Sequence, residues 1–170
     1  MNLPSQAGRW LATIPLCLSL TTAPVSAAEP PVVGSDILGM LEHWLDANTD
    51  LPARPDLPEI RVVSAQQAAL VAGLPGRGHG ATRGLYDAQS ETIYLVHPWA
   101  ADDPEDLSVL LHELVHHRQA PRHFYCPAAQ EEGAYRAQSA WLAELGLKAD
   151  LNWIAVILDA GCTPRDIHPD

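Results

Sequence analysis

Asp103 to Gln119 reads DPEDLSVLLHELVHHRQ, and this stretch decides the fold. Asp103 followed by Pro104 is a helix start: the aspartate serves as N-cap, and the proline takes the first helical position, where its missing N–H is no loss. Glu105 and Asp106 fall in the first turn, where the helix dipole favours negative charge. Pro121 cannot continue a helix, so the element is predicted to end near Gln119. Between these limits Leu107, Val109, Leu110, Leu111, Leu114 and Val115 wrap most of the circumference. That pattern predicts a central, buried helix rather than a surface helix with one apolar stripe.

Within this apolar segment lies HELVHH, residues 112–117. Residues four apart share a helix face, so His112 and His116 can turn their imidazoles toward one ion, and Glu113 can reach water at that ion. Two imidazoles and a carboxylate are costly to bury without partners, and a metal would supply one. A surface helix bearing solvated histidines would need a polar face that this segment barely has.

Working outward, Thr92–Val96 suits a pleated strand, and Arg83–Tyr86 precedes it across the polar turn DAQSE, which predicts a β-hairpin. Upstream, Ser35 reads as the N-cap of a helix carrying Ile37, Leu38, Leu41, Trp44 and Leu45 and ending near Asn48. A proline-rich linker, LPARPDLP, follows. Glu59–Val63 reads as a short strand, and Ser64 with Gln67 as a capping box opening a short helix to Ala72. GLPGRGHG forces a loop, which is no phosphate loop because no Gly-Lys-Ser or Gly-Lys-Thr follows the glycines. Downstream, a second helix is predicted from about Pro127 to Leu145, closed by Gly146, and a third from about Asp150 to Asp159, closed by Gly161. The class is α+β: a short hairpin or sheet packed on a central helix, followed by two more helices.

The first 27 residues carry Arg9 as their only charge, an apolar run from Trp10 to Leu20, and small residues at Val25–Ala28. This is the pattern of a signal peptide cleaved after Ala27 or Ala28, leaving a single domain over 28–170 in the periplasm or outside the cell. The run is too short and too mixed for a transmembrane anchor. Loss of Arg9 would take the formal net charge from −11 to −12. With a single lysine, Lys148, and no basic stripe, the chain lacks the clustered cations that nucleic acid requires. Cys126 and Cys162 remain after cleavage, and an oxidising compartment would let them pair as a disulfide.

Zinc at a catalytic site takes three protein ligands and leaves a position open, so a third donor is expected downstream. Glu131 shares a helix face with Ala134, Tyr135, Gln138, Leu142 and Leu145, whereas Glu132 lies with Arg136, Ser139 and Ala143. The inward set favours Glu131, with Glu132, His123 and His117 as alternatives. Tyr135, His123 and Tyr125 are candidate donors to an oxygen that gains charge during a reaction. Thr92–Val96 is a candidate edge strand for pairing with an extended peptide.

Residues 83–145 resemble the gluzincin group of zinc metallopeptidases. The likeness rests on the hairpin before the motif helix, on HELVHH itself, and on EEGAYRAQ, where Glu131 precedes Ala134 as in the group's Glu-x-x-Ala pattern. Tyr135 stands where that group carries Asp or Asn. The chain is also similar to small exported bacterial HELVHH proteins of unknown function. The gluzincin resemblance implies a minimal zincin-like metallopeptidase domain acting on a peptide or protein substrate. One zinc ion would be held by His112, His116 and Glu131, with Glu113 as general base toward metal-activated water. Two other readings fit the same residues: a non-catalytic zinc-binding protein, and an amide hydrolase acting on cell-wall peptides.

Overall fold

The computed structural model describes residues 33–73 and 82–162. The expected leader, the GLPGRGHG loop beyond Gly73 and residues 163–170 lie outside them. In chain order the elements are α1 (Ser35–Asn48), β1 (Glu59–Val63), α2 (Ala65–Val71), β2 (Gly84–Asp87), β3 (Thr92–Val96), α3 (Pro104–Gln119), a 3-10 turn (Pro127–Gln130), α4 (Glu131–Glu144) and α5 (Trp153–Ala160). The fold is therefore α+β, with helices around one small mixed sheet. Among the described residues no helix is long and apolar enough to cross a membrane.

The sheet order is β1-β3-β2. β2 and β3 form the expected antiparallel hairpin, with Leu85 opposite Tyr94, while β1 runs parallel to β3, with Arg61 opposite Tyr94. β3 is thus the central strand, and all five of its residues are buried. This overturns the expectation that Thr92–Val96 forms an edge. β propensity identifies a strand but not its place in a sheet, and here β1, which precedes α2 and the hairpin in the chain, covers the side of β3 that the hairpin leaves open. β2 is the edge strand next to α3, with which it is in contact.

The predicted starts of two helices hold in atomic detail. Asp103 accepts from the Glu105 N–H at 2.8 Å to cap α3, with Pro104 in the first turn. Ser64 and Gln67 form a reciprocal capping box at α2. Two other boundaries differ. Gly34 rather than Ser35 is the N-cap of α1, with no side-chain bond at that end. The helix expected from Pro127 begins as a 3-10 turn, and α4 opens only at Glu131. Leu145 lies past the end of α4 and is exposed.

The core gathers Leu41 and Leu45 of α1, Ile93 and Leu95 of β3, Val109–Leu111, Leu114 and Val115 of α3, and Ala134, Ala137, Trp141 and Leu142 of α4. Each fully buried aliphatic side chain contributes about 1.5–3 kcal/mol of apolar transfer, so α3, buried around most of its surface, is the element on which the rest assembles. Its C-terminal half is anchored by Arg118. That side chain has no exposure and forms ion pairs with Glu42 and Asp46 of α1, and it donates to the carbonyls of Glu42 and Leu51. The central helix is therefore held in a fixed rotation, and that rotation decides which of its polar groups meet α4.

Candidate metal centre

His112 and His116 sit one turn apart on α3 and face the first residue of α4, Glu131. The three donor atoms converge: His112 Nε2 lies 3.0 Å from His116 Nε2, and the two nitrogens lie 3.2 and 3.4 Å from the oxygens of the Glu131 carboxylate. Donors about 2.05 Å from a tetrahedral zinc stand about 3.3 Å from one another, and each of these spacings is of that size, with the two imidazoles approaching different oxygens of Glu131. The donor set, two imidazoles and a carboxylate, is also of the type that zinc accepts.

Neighbouring groups orient these ligands. Gln119, one turn beyond His116, lies 3.0 Å through its Oε1 from His116 Nδ1, and its own amide nitrogen donates to the Gln130 carbonyl at 3.1 Å. With an acceptor at Nδ1, the neutral ring of His116 carries its proton there, which leaves Nε2 as the nitrogen that could ligate a metal. Gly133 lets α4 close on this amide: a Cβ built there would stand 3.0 Å from Gln119 Nε2. Tyr135 meets His112 ring to ring at 4.5 Å between centroids, and His112 Nδ1, buried, has no hydrogen-bond partner. The residue at this position packs against the imidazole instead of accepting from it.

Electrostatics follow from the crowding. Burial opposes ionisation of Glu131, but hydrogen bonds from His112 and His116 outweigh it and bring its pKa down to about 2. Burial likewise opposes the imidazolium of His116, yet Glu131, Glu113 and Gln119 together raise its pKa. Glu113 points the other way, toward β2. Burial raises the pKa of its carboxyl, against the pull of His112 and His116 and of the Tyr86 backbone N–H that bonds to it. The triad and Glu113 lie in a cleft of about 990 Å³, walled by β2 on one side and by Lys148–Leu151 on the other, with Tyr135 also in the lining.

The family model described as a domain of unknown function, DUF6647, matches residues 30–170, which takes in every one of these groups. The chain belongs to the DUF6647 family. No curated protein and no solved structure matches it.

Of the alternatives for the third ligand, the structure of this DUF6647 domain brings none to the site. Glu132 turns outward and pairs with Arg136 at 2.6 Å. His117 faces away from the triad: its Nε2 donates to the Asp56 carbonyl at 3.0 Å, and its Nδ1 accepts from the Tyr86 hydroxyl at 3.1 Å. Burial lowers the His117 pKa and keeps the ring neutral, as this arrangement needs. His123 and Tyr125 stand on the surface loop before the 3-10 turn, exposed and outside the cleft lining, which removes them as donors to a reacting oxygen.

Cys126 and Cys162 are disulfide-bonded with their Cα atoms 5.9 Å apart, tying the start of the 3-10 turn to the end of α5. Two residues near the centre escaped the reading of the sequence. Gln119 follows His116 by three positions, a spacing that puts it on the same face. Gly84, inside a strand, carried the usual signal of a close backbone approach.

Proposed function

We propose that this protein is an exported zinc-dependent hydrolase of peptide bonds. The observation that carries the reading is the convergence of His112, His116 and Glu131 at the spacing of zinc ligands, with the buried carboxyl of Glu113 beside it in an open cleft. Zinc, when bound, supplies Lewis acidity toward a carbonyl oxygen and toward water.

The chain's own groups supply the proton chemistry. Glu113 accepts the proton of the attacking water and passes it to the departing nitrogen, and burial, by raising its proton affinity, matches it to both tasks. Tyr135 offers a hydroxyl that no described group engages, next to His112. Burial, followed by the nearby Glu131 and Glu113, raises its pKa, so it stays protonated and able to donate to an oxygen gaining charge. β2, a half-buried edge strand that lines the cleft, suits pairing with an extended main chain.

The disulfide fits an oxidising compartment, in line with the leader-like N-terminus. The test is turnover of casein or a peptide library by zinc-loaded protein. Hydrolysis is expected, abolished by chelator, and lowered by about 10³-fold or more in Glu113→Gln with zinc retained. Full activity in Glu113→Gln would contradict the reading. Zinc uptake without turnover of these substrates or of purified peptidoglycan would leave the centre a structural one.

A further inference from the structure

β2 lies against α3 with little freedom. At one end Arg83 is ion-paired with the buried Asp106, and at 3.9 Å with Glu105, both in the first turn of α3. Asp106 is itself held by the Ala100 N–H at 2.8 Å. At the other end the Tyr86 hydroxyl bonds to His117 near the C-terminus of α3, and Arg54 donates to the same hydroxyl at 3.2 Å. Arg54 is in turn paired with Glu91 at 2.6 Å in the hairpin turn. The strand is thus fastened to the helix on both sides of the point where it passes Glu113.

At that point stands Gly84. A Cβ on it would lie 2.6 Å from Glu113 Oε1, 2.9 Å from Glu113 Cγ and 2.8 Å from Val109 Cγ1, all inside van der Waals contact. With both ends of β2 fastened, a side chain here cannot be absorbed by sliding the strand. Val109 belongs to the core, so the group with freedom to yield is the Glu113 side chain. The same strand gives Glu113 its hydrogen bond, from the Tyr86 N–H.

From this we propose that Gly84 is a positioning residue: by lacking a side chain in a strand clamped at Arg83 and Tyr86, it sets where the carboxyl of Glu113 stands relative to the His112, His116 and Glu131 centre. The inference rests on Glu113 acting as the base. It also assigns a purpose to the third histidine of HELVHH, since His117 holds the far clamp rather than a metal.

The test compares wild type, Gly84→Ala, Glu113→Asp and the double variant. Displacement of a reacting group by about 1 Å costs on the order of 100-fold in rate. Gly84→Ala is therefore expected to lower kcat about 100-fold, with KM and zinc affinity within about twofold of wild type. Aspartate withdraws Oε1, the nearest of these three atoms, so in the Glu113→Asp background the same substitution is expected to cost clearly less than in the wild-type background. Wild-type kcat in Gly84→Ala, an equal loss in both backgrounds, or loss of zinc along with activity would each overturn the proposal.

If the wild-type protein hydrolyses nothing, the hydrolase reading fails while this inference is still tested, through melting temperatures in the same four proteins. Gly84→Ala should then lower the melting temperature clearly when Glu113 is intact and by less in the Glu113→Asp background, and equal losses would overturn it. If Gly84→Ala does not fold, adding Glu113→Asp and Val109→Ala should restore folding, and failure to do so would equally count against it.

Discussion

Gln119 fixes which nitrogen His116 presents, and it does so through a side chain itself held by the Gln130 carbonyl next to the third ligand. Removing such a partner typically costs 10–100-fold in metal affinity, so Gln119→Leu is expected to weaken zinc binding by about that factor without unfolding the chain, as a chelator-competition titration would read. In the proposed function Tyr135 serves the reaction rather than the ligand set. Tyr135→Phe keeps the ring against His112 and loses only the hydroxyl, and its expected effect is a fall of about 100-fold in kcat with unchanged zinc affinity. Unchanged kcat would limit Tyr135 to packing. At this scale the sequence was most legible where the geometry is local. His112 and His116 follow from helical spacing alone, and Glu131 from the apolar companions on its face. Gly84 and the inward or outward choice of His117 depend on which strand lies against α3, and that is a tertiary fact no spacing encodes.

The elements around the centre differ in how firmly they are held. α3 is packed on nearly every side, and α4 lies along it more extensively than any other pair of elements touch. α5 is the opposite: none of its residues is buried, and Ile154, Ile157 and Leu158 are exposed. It packs on α4 and on the 3-10 turn, and the Cys126–Cys162 bond adds a covalent tie that also pins the turn leading into Glu131. Closing a loop of 36 residues constrains the unfolded chain by about 3–4 kcal/mol. Reduction, or Cys126→Ser with Cys162→Ser, is expected to lower the melting temperature and to weaken zinc binding, because the third ligand loses its preset position. Unchanged zinc affinity after reduction would show that α3–α4 packing alone sets Glu131. The helices and strands were readable from caps, prolines and periodicity, including the capping box at Ser64. The sheet order was not, because a parallel partner from upstream of α2 leaves no local mark on β3. Nor was the 3-10 turn, since a proline after Cys126 suits the start of either helix type.

Across the whole molecule, a modest α+β core carries one polar constellation too costly to bury without a purpose. Arg118 with Glu42 and Asp46 is an anchor in which opposite charges offset one another, whereas the two imidazoles and the Glu131 carboxylate crowd three donor atoms into one spot. Three such groups side by side are reconciled by a proton or by a metal ion, and the proposed function takes the metal. The proposed chemistry depends on that choice. It is tested most directly by elemental analysis of purified, folded wild-type protein beside His112→Ala and Glu131→Ala. One zinc per chain in the wild type and its loss in both variants is the expected result. A folded wild type that takes up no divalent metal, or a Glu131→Ala protein that binds zinc as tightly as the wild type, would contradict it.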